Sequence, residues 1–101
     1  MASRVIVTRE ARRDLVSAVD YLANALDAKR AATELMDSFA VVVSRLKTLS
    51  DFYPLCPDES LSRRGIRKAL VGGYIVLYKN VEETSYVLRV FHQSRDYAQI
   101  V

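Results

Sequence analysis

With 101 residues the chain has room for one hydrophobic core and none for a second. Half of its residues are hydrophobic and 27% are charged, a balance that excludes a disordered or fibrous chain. The net charge of +3 is mild, and no apolar run approaches the roughly 18 residues that would cross a bilayer.

Taken in chain order, Arg4 to Val7 is β-branched and alternates weakly, which predicts a short first strand. Its apolar run is too short for a signal-peptide core, so a cytoplasmic protein is expected. Thr8 then suits a helix N-cap, with Glu10 in the first turn where the helix dipole favours a negative charge. Ala11, Leu15, Ala18, Val19, Leu22, Ala25 and Leu26 recur at steps of mainly three and four and predict an amphipathic helix. Asp27 is expected to cap a second helix whose buried stripe is Leu35, Phe39, Val42, Leu46 and Leu49. Two such helices joined tightly form an antiparallel hairpin that packs on a sheet.

Asp51 to Ser62 holds both prolines and three acids, so it reads as a loop. Its Cys56 is the only cysteine, has no partner for a disulfide or a metal, and is expected as a half-buried loop residue. Ile66 to Val71 reads as a strand, Gly72 and Gly73 as a tight reversal, and Tyr74 to Lys79 as a second strand. Asn80 to Ser85 is polar enough for a hairpin loop before a third strand, Tyr86 to His92. The predicted order is β-α-α-β-β-β, an α+β domain over residues 1–101 with the helix pair on one face of a mainly antiparallel sheet.

The charge is unevenly placed. Residues 1–62 carry eight Lys and Arg against nine Asp and Glu, and residues 63–101 carry seven against three. The excess therefore belongs to the C-terminal part, beginning with Arg63, Arg64, Arg67 and Lys68, and it points to an anionic partner. Arg67 alternates with Lys68, so one of them lies on the sheet face away from the helices. Simple alternation also places Tyr86, Leu88, Val90 and His92 on one face and Val87, Arg89 and Phe91 on the other. Tyr74 and Tyr78 share a face, and core packing is the default for at least one. Arginine and lysine neutralise phosphates and tyrosine offers a ring for a base, but a solvated face presents the same residues. His92 is the only histidine, and a lone histidine at a strand end is more often structural than catalytic. No Gly-rich phosphate loop and no metal-ligand spacing occurs.

The sequence GlyGlyTyrIleValLeuTyr from Gly72, followed by ArgValPheHisGlnSerArgAspTyr from Arg89, resembles the sheet half of a RelE/ParE superfamily toxin. The resemblance covers nearly the whole chain. It implies the toxin of a type II toxin–antitoxin pair that arrests bacterial growth, bound by an antitoxin that wraps it, with no cofactor. Two activities occur in the superfamily: poisoning of DNA gyrase, and metal-independent cleavage of messenger RNA on the ribosome. For cleavage the resemblance assigns catalytic roles to Lys68, His92 and Arg95. Arg63, Arg64, Arg67, Tyr78, Arg89 and Tyr97 are the expected binding residues. The nuclease pattern is incomplete, because Ile66 and Ile75 stand where RelE-like members carry a lysine and an arginine, and Val101 falls near their late tyrosine. HisGlnSerArgAspTyr is closer to the ParE-like ending, which favours gyrase. The alternatives are the nuclease and, in a different class, a small α+β binding module without toxicity.

Overall fold

The computed structural model describes residues 4–100. Strand β1 (Arg4–Val7) leads into helix α1 (Arg9–Asp20), which runs on through a π-helical turn, Tyr21–Ala25. Helix α2 (Lys29–Leu46), a short α3 (Glu59–Arg63) and strands β2 (Ile66–Val71), β3 (Tyr74–Val81) and β4 (Thr84–His92) follow, and a 3-10 turn, Tyr97–Gln99, comes last. The sheet order is β1-β4-β3-β2, with β1 parallel to β4 and the other pairs antiparallel. The expected α+β architecture is present, with the helix pair on one face.

That face is closed by Ala11 of α1 and by Leu35, Phe39, Val42 and Leu46 of α2, packed on Ala69, Val71, Val76, Tyr78, Val87 and Val90. Burying a leucine such as Leu46 from water contributes about 1.5–3 kcal/mol, so the predicted stripe accounts for the docking of α2. The opposite face carries a second, smaller core of Cys56, Leu61, Ile66, Ile75, Leu77 and Phe91. Cys56 is therefore fully buried instead of half-buried, and burial pushes its thiol pKa up. The expected loop of residues 51–62 also contains most of α3, whose N-cap Asp58 accepts the Leu61 N–H (3.0 Å). One turn of helix is too short to show a period.

Several boundaries differ from the sequence expectation. Thr8 caps α1 as predicted, its hydroxyl accepting from Ala11 N–H. Asp27 does not cap α2: it takes a left-handed conformation (φ 49°) and ends the first helix, with Ala28 N–H donating back to Leu22 O (2.7 Å). Helix α2 stops at Leu46, and Leu49 faces solvent because the chain turns to bring Ser50 O to the sheet. The hairpin loop between β3 and β4 shrinks to Glu82 and Glu83, since Asn80 and Ser85 pair within the strands.

A β-bulge in β4 corrects the alternation. Tyr78 pairs with Val87 but Leu77 pairs with Arg89, leaving Leu88 as the extra residue. Val87 consequently joins Val90 on the helix-covered face, while Leu88 packs with Phe91 on the other.

Candidate functional site

The turn from β1 into α1 shapes the site by closing the edge of β4 beyond the end of β1. Thr8 N–H donates to Val87 O (3.1 Å) and its hydroxyl to Leu88 O (3.1 Å). Nearly two turns later Asp14 takes over, accepting Val90 N–H (2.9 Å) and both the Nε (2.7 Å) and Nη2 (3.1 Å) protons of Arg89. The bidentate pair raises the pKa of the Arg89 guanidinium above its ordinary value. Arg89 also lies over the Phe91 ring, 4.5 Å from its centre, and Arg95 approaches the same ring at 5.6 Å.

These groups line a polar depression of about 340 Å³ formed by Asp14, Ser17, Tyr21, Tyr74, Arg89 and Arg95, among others. Tyr21 and Tyr74 are also one wall of a second groove of about 380 Å³. That groove is largely apolar, with Leu22, Leu26 and Leu35 on the helices and Val71, Gly72 and His92 on the sheet. Tyr21 and Leu26 are each 53% exposed there. Desolvation, aided by the neighbouring Tyr21, raises the pKa of the Tyr74 phenol. His92 stacks edge-on against Tyr74 (5.3 Å), and its Nδ1 accepts the Ser94 N–H (3.1 Å), which in the neutral ring leaves the proton on Nε2.

The structure brings His92, Arg89 and Arg95 to the open end of the sheet and separates them from the other expected residues. Lys68 pairs with Leu77 and lies on the face of the second core, near Cys56. His92 shares a register row with Tyr74 and Val71, on the helix-covered face. Lys68 and His92 thus stand on opposite faces. Arg67 turns toward the helix side, donating to Tyr53 O (2.7 Å) and pairing with Asp51 (3.7 Å). Tyr78 is completely buried and donates to Ser50 O (2.8 Å), so its ring offers no surface to a base. Tyr97 is half-buried against the second core. Arg63 pairs with Glu59 on α3, and Arg64 is exposed at the C-cap of that helix.

Sequence reasoning passed over Asp14, Tyr21 and Phe91. Asp14 and Tyr21 are seven residues apart on one helix stripe, a signal that was available; their meeting with Arg89 was not. Among the described residues no three His, Cys, Asp or Glu side chains gather as metal ligands would, and no helix is long and apolar enough to cross a membrane.

The family model for the ParE toxin of type II toxin–antitoxin systems matches residues 5–97. The chain belongs to the ParE toxin family. It is the toxin half of a type II toxin–antitoxin module. A solved chain from the chromosomal ParDE toxin–antitoxin system of P. aeruginosa is similar in fold, with 19% identity, a TM-score of 0.70, and coverage of 91% of this chain and 96% of that one. The RelBE2 toxin–antitoxin complex of Mycobacterium tuberculosis aligns at 25% identity with a TM-score of 0.49, covering 91% of this chain and 99% of that one. No curated protein sequence matches significantly. The ParE fold thus accounts for the order of elements, and the open end of its sheet is where this member gathers exposed polar and aromatic side chains.

Proposed function

We propose that this ParE-family toxin acts in the cytoplasm by binding and poisoning DNA gyrase, as one toxin domain held silent by an antitoxin. The observation that carries this reading is the separation of Lys68 from His92 by the thickness of the sheet. Acid–base cleavage of one phosphodiester requires its proton donors and acceptors within about 3 Å of the same reacting atoms. Residues on opposite faces do not meet that condition, whereas a binding surface tolerates such a spread. The antitoxin reading is supported by the apolar groove with its exposed Tyr21 and Leu26, surface that a partner would cover.

One feature favours a second reading, RelE-like cleavage of messenger RNA on the ribosome. Arg89 and Arg95 approach one aromatic ring beside Tyr74, an arrangement suited to a developing phosphate charge. Asp14 already neutralises Arg89, which leaves Arg95 as the main cation for that role. Induction of the chain in a bacterium, with pulse labelling of DNA and protein synthesis in parallel, separates the readings. Early loss of DNA synthesis with an SOS response is expected. Rapid loss of translation with DNA synthesis spared would select the nuclease, and unaffected growth would select a non-toxic binding module.

A further inference from the structure

The solvent side of α1 carries Arg9, Arg12 and Arg13 beside Val16 and Ser17, all exposed. Among the described residues none of the three arginines makes an ion pair. Two nearby acids are engaged elsewhere: Asp14 holds Arg89 and Val90, and Asp20 binds Asn24. Like charges three and four residues apart repel on a helix, and Arg9 occupies the first helical position, where the dipole disfavours a cation. Neither placement stabilises α1. An anionic partner would offset both costs.

The character of the stripe favours nucleic acid over protein. Val16 is the only aliphatic residue of the lining, and the rest of its apolar surface comes from arginine stems and Ser17, not from the aromatic and aliphatic anchors of a protein interface. A phosphate backbone is bound by cations without such anchors. Arg9 to Arg13 rises about 6 Å along the helix, while duplex DNA presents a phosphate every ~3.4 Å of axis on each strand. Three guanidiniums on that stretch therefore reach two or three consecutive phosphates.

We infer that the Arg9, Arg12 and Arg13 stripe is a sequence-independent docking surface for the phosphate backbone of duplex DNA. Its centre lies roughly a third of the way round α1 from Asp14, and the two surfaces meet at Ser17. Under the gyrase reading, on which this last step rests, the stripe grips the DNA that gyrase holds while the open end of the sheet engages the enzyme.

The test is fluorescence anisotropy of a labelled short duplex with the full chain across a salt series. The triple variant Arg9→Gln, Arg12→Gln, Arg13→Gln is expected to bind at least about tenfold more weakly at low salt. Its log–log salt slope should be shallower by about 1.8 to 2.7, or about 0.9 for each of the two or three phosphates that are no longer neutralised. A control triple, Lys29→Gln, Arg30→Gln, Lys47→Gln, removes the same charge from other exposed positions and should bind nearly as the unsubstituted chain does. Equal weakening in the two triples would reduce the effect to net charge and overturn the proposal. Tighter binding of polyglutamate of matched charge would also overturn it, by making the occupant an acidic polypeptide. The charge-keeping triple Arg9→Lys, Arg12→Lys, Arg13→Lys should retain the salt slope, and a shallower slope there would count against phosphate binding. Because the assay contains no gyrase, failure here leaves the gyrase reading standing, and failure of that reading is seen only by pulse labelling.

Discussion

The two ends of the β3–β4 ribbon treat their polar side chains in opposite ways. At the end near the β3–β4 turn, Tyr78 and Asn80 both donate to Ser50 O, and Ser85 donates to Asn80 Oδ1 (2.6 Å). Tyr78 and Ser85 are fully buried, so each group depends on its partner there. At the end near Gly72, Tyr74, His92 and Arg95 border open grooves, and His92 and Arg95 are exposed. Buried polar groups left unpaired are costly, so the first end is committed to holding the fold. The second end is free to meet another molecule. Asp14 is the boundary between them, since its bonds to Arg89 and Val90 stabilise the fold while lining the polar depression.

The sharpest way to break this contrast is alkaline pH. Desolvation pushes the Tyr78 phenol from its ordinary value of 10.0 up to about 12. The unfolded chain therefore loses this proton first. The stabilisation is complete below the unfolded value and is lost as pH rises from there through the folded one, about 3 kcal/mol in all for two pKa units. Urea unfolding across that range should show the fall, and Tyr78→Phe should remove most of it. If the variant kept the full slope, Tyr78 would not be the group responsible.

Asp14→Ala is expected to cost about 2 kcal/mol, because Arg89 and Val90 N–H lose their shared acceptor in a partly buried place. Chemical denaturation measures it, and a change under about half a kcal/mol would move Asp14 wholly to the open end. Asn80→Ala should cost about 1 kcal/mol by the same measurement, since it strands the Ser85 hydroxyl and removes one bond to Ser50 O. The smallest effect on stability belongs to His92→Gln, within about 0.5 kcal/mol, as for an exposed position. Growth arrest is the informative readout for that variant. Partial weakening fits a binding role, whereas complete abolition with the fold intact would make His92 catalytic and favour the nuclease.

Much of the fold was readable from local pattern. The limits of β2, the reversal at Gly72 and Gly73, and the Thr8 cap all came from residues within a few positions of one another. Asp27 misled because a residue that caps a helix also tolerates the left-handed conformation that ends one, and only the bond from Ala28 to Leu22 decides between them. The candidate site was less readable. Arg89, His92 and Arg95 lie at its rim, but Arg67 and Tyr78, expected as binding residues, are held by Tyr53 O and Ser50 O in a loop whose path no periodicity reveals.

By itself the sequence determined the order of helices and strands, the stripes that dock the helices, and the family resemblance, since these rest on spacing along the chain. Tertiary structure alone decided which side chains meet. The bulge at Leu88 exists only in the pairing of β3 with β4, and it sets Val87 and Val90 on one face. Arg89 meets Asp14 from 75 residues away, and Lys68 and His92, both expected in one site, are parted by the sheet. Such meetings depend on strand register and chain crossing, which local propensity does not encode.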